Sequence, residues 1–232
     1  MKSLLVSVLL LVVCNASFGQ SGIFEVHSKT VNVGIELGQN YSSLRGNEVV
    51  CDEYYATFKF SGGLSAEYII SNRVSVKSSF LYSVKNTTSK GKFAAFSVGW
   101  TYIGQSRAAF RYKYLEIPVV ARTVIANNPN ISLDLGMYYG HLLKAEVEDL
   151  DVDYRGNPRD ITKEYKTGEV GFVGGLSMVV PISNKLAGNV SIQNHLGVSN
   201  IVAFKSNTFE APIRTNSVQL LVGISLNLSN KD

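Results

Sequence analysis

The sequence predicts an all-β fold: an eight-stranded antiparallel transmembrane β-barrel that follows an N-terminal signal peptide. Three observations predict it. Apolar residues recur at every second position in eight segments, short and long connections alternate between these segments, and the first 19 residues resemble a secretory signal. Alternation with a period of two is typical of a strand with two unlike faces.

The clearest of these segments is 217–228, near the end of the chain. Apart from Leu221, the residues between its apolar positions are small or polar. A strand that crosses a bilayer at a slant needs about 9–11 residues, and this segment has that length. The pattern therefore predicts a strand with an apolar face toward lipid and a polar face toward a barrel interior. Its apolar residues are Val218, Leu220, Val222, Ile224, Leu226 and Leu228.

Seven earlier segments repeat this alternation, and we expect the first to pair with 217–228 and close the barrel. In chain order they cover residues 31–38, 63–70, 74–84, 114–122, 131–140, 169–180 and 189–197. The predicted connections are short at 71–72, 127–130 and 183–185, and long near 45–57, 86–109, 146–167 and 203–214. Short periplasmic turns and longer outer loops are typical of an outer-membrane barrel, and an even strand number places both termini on the periplasmic side.

A soluble barrel with an inward apolar face is the alternative. The polar face is rich in Gly and Ser rather than Lys and Glu, and would make a poor soluble exterior. The apolar face also carries aromatic residues near strand ends, as the interfacial girdles of membrane barrels do. These predicted girdle residues are Tyr41, Phe58, Phe60, Tyr68, Phe80, Tyr82, Tyr138 and Tyr139.

Residues 93–104 alternate as well. Counting them as a membrane strand would give nine, whereas bacterial single-chain barrels have even numbers. We interpret them as a β-excursion of the second outer loop, with a ten-stranded barrel as the alternative.

The predicted organisation is a signal peptide over 1–19, a periplasmic segment over 20–30, the barrel domain over 31–228 and a tail over 229–232. Lys2, an apolar core and the small residues Ser17 and Gly19 are typical of a cleavable signal. A lipoprotein signal acylated at Cys14 is the alternative, although Val13 stands where such sites have a small residue. Cleavage leaves Cys51 as the single cysteine, which we interpret as a loop thiol.

Composition excludes two classes of protein. After the N-terminus no apolar run reaches the roughly 18 residues of a membrane-spanning helix. The net charge of +4 is mild and evenly spread, so we expect no nucleic-acid partner.

Charged residues at inward positions form the candidate site. Charges inside a narrow barrel must pair, since a lone buried charge is costly. Because an eight-stranded barrel is only wide enough to be filled by side chains, we expect a structural network rather than an ion path, with Glu116 paired to Arg122 or Lys77. The candidate lumen residues are Glu36, Glu67, Lys77, Glu116, Arg122, Asp134 and Glu169.

Signals for catalysis and metal binding are weak. His141 and His195 are expected near the outer rim, and Ser199 with His195, or a serine with His141, could act as nucleophile and base, but no nucleophile motif surrounds them. We therefore predict no catalytic residue. Asp149, Asp151 and Asp153 have the spacing of a calcium loop, but Gly156 and Glu164 come too late for one, so we predict no metal and no cofactor.

Three pieces of sequence carry a family resemblance: 114–118, 136–143 and 196–201, with weaker similarity at 34–40 and in the Gly-rich sixth segment. They resemble the outer-membrane β-barrel domain family that includes the PorT-like proteins of gliding and secretion systems. The resemblance covers about 31–228 and implies an eight-stranded barrel in a Gram-negative cell envelope. The chain departs from such barrels by ending on a polar tail rather than an aromatic residue.

From the residues and the resemblance together we expect a non-catalytic structural or interaction protein, an accessory of a secretion or gliding system. A lipid A-modifying enzyme and a narrow channel are the alternatives. The expected partners are outer-membrane lipid and lipopolysaccharide, with secretion-system or other envelope proteins.

Overall fold

The computed structural model describes residues 30–46, 54–97, 100–127, 129–150, 158–203 and 212–228, with the backbone alone for 54, 91–97 and 100–106. Within these residues the chain forms one 3₁₀-helix, Thr162–Glu164, and nine strands. The strands are β1 (Thr30–Arg45), β2 (Tyr54–Ile69), β3 (Val74–Ser97), β4 (Trp100–Asn127), β5 (Asn130–Asp149), β6 (Arg159–Asp160), β7 (Gly168–Pro181), β8 (Leu186–Gly197) and β9 (Arg214–Asn227).

Eight of these strands form a closed antiparallel ring, which confirms the predicted barrel. The order around the ring is β1-β2-β3-β4-β5-β7-β8-β9, and β6 adds two residues to the outer part of β5. The ring closes where β9 pairs with β1, from Asn32 opposite Asn227 to Arg45 opposite Arg214. Closure satisfies the backbone groups of every strand in the hydrocarbon region, as a membrane requires.

The two faces of the barrel are arranged as predicted. Outward aliphatic side chains such as Ile35 and Leu64 are 59% and 60% exposed, whereas inward polar residues are buried. Leu221, the exception in the last segment, points inward and helps to fill the lumen.

One girdle prediction is wrong. Tyr138 is only 2% exposed, because the lipid-facing residues of β5 are the odd-numbered ones and Tyr138 lies between two of them. The other seven predicted girdle residues are 38–65% exposed.

The connections divide the barrel into two ends. Short turns join β2 to β3, β4 to β5 and β7 to β8 at the end where β1 begins and β9 finishes. The long connections after β5 and β8 lie at the opposite end, which we name the outer end.

The prediction of long loops near 45–57 and 86–109 is partly wrong. β2 already begins at Tyr54, and β3 and β4 stay paired up to Ser97 opposite Trp100. Eight residue pairs, from Lys90 opposite Arg107 onward, extend past the last partners that β2 and β5 provide. Residues 93–97 and 100–104 therefore pair with each other as a β-excursion, as expected, and the ten-stranded alternative is excluded.

No helix among the described residues is long and apolar enough to cross a membrane. The predicted signal peptide and tail, Cys51, Asp151 and Asp153 lie outside the described residues, and the expectations about them stay predictions.

Candidate functional site

The lumen brings the predicted charged residues together in two clusters. All seven candidates point inward, and Glu67, at the short-turn end, keeps the most exposed side chain at 17%. We name the two groups the lower and the upper cluster, counting from the short-turn end. The lower cluster contains Glu36, Glu67, Lys77, Arg122 and Asp134; the upper cluster contains Lys85, Glu116, Glu169 and His195.

Arg122 organises the lower cluster. Its guanidinium donates to both carboxylate oxygens of Asp134, at 2.8 and 2.9 Å, and to Glu67 at 3.2 Å. Lys77 pairs with Glu36. Bidentate pairing fixes the orientation of a guanidinium as well as its position, so these contacts join β4 to both β5 and β2.

Lys85 lies at the centre of the upper cluster. Its Nζ is 2.9 Å from a carboxylate oxygen of Glu116 and 2.9 Å from one of Glu169. It also lies 4.7 and 5.0 Å from the ring centroids of Tyr114 and Tyr138, within reach of a cation–π interaction. A single ammonium thus compensates two buried carboxylates on β4 and β7.

Further contacts reach one oxygen of each of these carboxylates. The Gln219 amide donates to Glu116 Oε2 at 2.7 Å, and His195 Nδ1 lies 3.5 Å from the same oxygen. The Tyr138 and Thr215 hydroxyls both donate to Glu169. Because charges and polar groups contributed by β3, β4, β5, β7, β8 and β9 meet here, the cluster ties most of the ring together.

The predicted partner of Glu116 is wrong. Lys77 is held by Glu36 and Arg122 by Asp134, so neither is available, and Lys85 pairs with Glu116 instead. Lys85 was not among the predicted lumen residues because it lies one residue beyond the predicted third segment, which ends at Val84. The alternation along β3 does indicate its position, since Lys85 continues the series of odd-numbered residues that face inward.

An apolar plug closes the outer end above the upper cluster. It combines inward residues of the strands with Ile161 and Ile201 from the two outer connections. Backbone hydrogen bonds hold these connections in place: Ile161 N donates to Ala145 O at 2.9 Å, and Lys166 N donates to Ile201 O at 2.7 Å. The buried members of the plug are Leu44, Tyr112, Tyr114, Leu142, Ala145, Ile161, Ile201 and Ile213.

Cavities adjoin the barrel wall at two places among the described residues. A small one of about 40 Å³ lies at the short-turn end, among Asn32, Glu67 and Asn189, and has room for a water molecule. Another, of about 1090 Å³, lies on the outward face among aliphatic side chains such as Ile35 and Ile224. That surface faces the acyl chains of the bilayer, so we do not treat it as a ligand site.

The candidate nucleophile and base are not brought together. His195 is fully buried in the lumen with its ring 5.0 Å from that of Tyr138, whereas the Ser199 hydroxyl accepts a hydrogen bond from Val170 N at 3.0 Å. His141 is exposed on the outward face of β5. Among the described residues no group of three or more His, Cys, Asp or Glu side chains could hold a metal ion.

Outside the membrane-spanning part, Glu146 on β5 bridges two lysines. Its carboxylate lies 2.8 Å from Lys113 Nζ and 2.7 Å from Lys144 Nζ. These hydrogen bonds hold the pKa of Glu146 below its ordinary value of 4.5, and the same contact raises the pKa of Lys144.

This bridge predicts a pH-dependent contribution to stability. A carboxyl group whose pKa is lowered on folding stabilises the fold above its unfolded pKa, and the contribution is lost as pH falls through the folded pKa. We expect Glu146→Gln to lower the urea midpoint at about pH 7, and the difference from wild type to shrink as pH falls below about 4. Glu164→Gln, at an exposed carboxyl group, is the control. A difference that stays constant with pH would contradict the bridge.

Comparison with known proteins decides the family. Residues 18–203 match the family described as outer membrane protein beta-barrel domain. The chain belongs to this family. It is therefore an integral outer-membrane β-barrel, whereas its PorT-like subtype stays a prediction. No curated protein matches the sequence.

Several solved structures are similar in their strand arrangement. Ail, the attachment invasion locus protein of Yersinia pestis, is 14% identical, with 87% of this chain and 100% of Ail covered and a TM-score of 0.42. OprG from Pseudomonas aeruginosa is 11% identical over 88% of this chain and 98% of OprG, with a TM-score of 0.43. The outer membrane protease OmpT from Escherichia coli is 8% identical over 88% of this chain and 100% of OmpT, with a TM-score of 0.43. Structural similarities with identities and TM-scores this low support no inference about function.

Proposed function

We propose that this outer-membrane barrel is a non-catalytic protein with a structural or interaction role. The observation that carries the proposal is the closed lumen: two clusters of ion-paired side chains fill it, and the apolar plug covers its outer end. An interior built in this way stabilises the barrel. The outer strand extensions and connections are then the surface that contacts partners.

The closed lumen argues against a channel. Conduction needs a continuous wet path, and an eight-stranded barrel is only wide enough for its own side chains. An ion would have to displace Lys85 or Arg122 from buried carboxylates and then pass the plug.

The positions of the histidines argue against an enzyme of the nucleophile–base type. His195 is enclosed below the plug, and His141 faces lipid on β5. A base must come within hydrogen-bond reach of its nucleophile, and Ser199 is instead bonded to the backbone of Val170.

The orientation belongs to the same proposal. Short turns are typical of the periplasmic end of an outer-membrane barrel, which supports an orientation with both termini in the periplasm and the plug outside the cell. Partners would then be lipopolysaccharide and envelope proteins that meet the outer end. The accessory role in secretion or gliding rests on the resemblance to PorT-like proteins.

The proposal is tested by three measurements on the full chain. In planar bilayers we expect no conductance steps from the refolded protein, and in a deletion strain we expect an unchanged lipid A profile. A photo-crosslinker at the exposed outer residue Leu150 should capture a defined envelope protein, whereas one at Ile182 in a short turn should not. Reproducible conductance steps or an altered lipid A profile would contradict a non-conducting, non-catalytic barrel.

A further inference from the structure

The lipid-facing wall formed by β8, β9 and β1 carries amide side chains within its apolar series. On β1, Gln39 is exposed on the outward face between Leu37 and Tyr41, which are exposed as well. On β8, the outward residue Asn194 is followed further out by the outward residue Leu196. Both amides therefore interrupt the outward apolar face rather than lie beyond its end.

The chain itself leaves much of the hydrogen-bonding capacity of these amides unused. Gln39 lies directly opposite Phe60 on β2 and Leu220 on β9, and its amide has no hydrogen-bond partner among the described residues. The Asn194 amide donates to the Asn216 carbonyl oxygen at 3.0 Å. Since a side-chain amide has two N–H donors and an acceptor oxygen, this bond leaves further groups on both asparagines. We name Gln39, Asn194 and Asn216 the amide patch.

The acyl chains of a bilayer cannot satisfy the amide patch, because they offer neither a donor nor an acceptor. A polar group in an apolar environment without a hydrogen bond is costly, and in membranes Asn and Gln side chains hydrogen-bond between neighbouring protein segments. The patch is a property of one wall. On β5, across the ring from β1, the exposed outward series contains no amide: Leu133, Leu135, Met137 and Tyr139.

A second copy of the chain supplies the groups that the amide patch lacks. Two side-chain amides are complementary to each other, because each donates an N–H to the carbonyl oxygen of the other. A two-fold axis brings the same residue of both copies together. The outward groove of about 1090 Å³ adjoins Gln39, with Leu37 and Val222 in its lining, and offers a recess for apolar side chains of the other copy.

We propose that two copies of this chain associate within the membrane through the wall of β8, β9 and β1, with Gln39 of one copy hydrogen-bonded to Gln39 of the other. Asn194 and Asn216, on the neighbouring strands, lie beside this contact. The interface uses the outward face alone, so the lumen and the apolar plug of each barrel stay as they are. This inference does not depend on the protein's being non-catalytic.

Disulfide cross-linking in vesicles tests the interface. The full-length chain with Cys14→Ser/Cys51→Ser receives one new cysteine, is refolded into phosphatidylcholine vesicles at a low protein-to-lipid ratio and is oxidised. Leu37→Cys lies next to Gln39 and retains it, and Leu135→Cys on β5 is the matched control, since the two leucines are 53% and 56% exposed. On non-reducing electrophoresis we expect roughly five times as much cross-linked dimer, or more, from Leu37→Cys as from Leu135→Cys.

Variants of Gln39 then test the amide itself. Leu37→Cys/Gln39→Leu should lose most of the dimer, whereas Leu37→Cys/Gln39→Asn keeps an amide and should retain part of it. Leucine suits a lipid-facing position, and the heat-sensitive shift of the folded band verifies that each variant has folded. Equal cross-linking of Leu37→Cys and Leu135→Cys would show that the copies meet only by random collision and that lipid alone covers the wall. That result, or an unchanged yield with Gln39→Leu, would overturn the proposal.

Discussion

Replacing Lys85 with methionine is expected to destabilise the folded barrel by about 3–5 kcal/mol, the cost of removing one partner from a buried ion pair. The ammonium lies 2.9 Å from both Glu116 and Glu169, and all three side chains are at most 2% exposed. Methionine fills a similar volume, so the expected loss is electrostatic rather than a packing defect. Without Lys85 the two carboxylates would share a water-poor lumen with no cation between them.

Urea-induced unfolding of the refolded protein measures this effect. Lys185→Met, at an exposed residue in a short turn, is the matched control and should stay within about 0.5 kcal/mol of wild type. Adding Glu169→Gln to Lys85→Met neutralises one of the two carboxylates that are left without a cation. The double variant should therefore recover part of the lost unfolding free energy. Equal unfolding free energies for Lys85→Met and Lys185→Met would show that the upper cluster does not hold the barrel.

The membrane-spanning part of the fold could be predicted from the sequence because lipid imposes a strict rule on each strand. A residue that faces the acyl chains must be apolar, whereas its neighbour that faces the lumen need not be. The two faces of β1 and β9 can therefore be identified directly from their amino-acid sequences. Beyond the headgroups that rule ends. The hairpin of β3 and β4 was therefore predicted only as a β-excursion of a long outer loop, although its backbone pairing continues without interruption to Ser97 and Trp100.

The inward charges could also be predicted, but their partners could not. Alternation tells which side of the sheet a residue occupies, so Glu116 was assigned to the lumen correctly. Which inward residues lie at the same height in the lumen depends on the stagger of the strands around the ring. This stagger cannot be determined from a single sequence. Lys85 was not predicted as a lumen residue because its inward position lies beyond the apolar part of β3.

Gly38→Ala is expected to destabilise the barrel by about 3 kcal/mol or more, because it forces the seam between β1 and β9 apart. A Cβ at Gly38 would lie 1.8 Å from the carbonyl oxygen of Leu220 on the neighbouring strand. The obstructing atom belongs to the backbone, which cannot rotate away as a flexible side chain would. Tight curvature of a narrow ring brings inward positions this close, and glycine meets the requirement by having no side chain.

Gly174→Ala provides the matched control for this seam. A Cβ there would meet only the side chain of Leu135, at 3.7 Å, which is an ordinary contact. The same chemical change should therefore be tolerated, with an effect below about 1 kcal/mol, since alanine also restricts the unfolded chain. Both variants are measured by urea unfolding and by the folded fraction after refolding into vesicles. If Gly38→Ala and Gly174→Ala had the same unfolding free energy and folded fraction, the curvature at the closing strand would not explain the glycine at position 38. If only Gly38→Ala failed, the chain's closure would depend on a backbone approach that leaves no space for a methyl group.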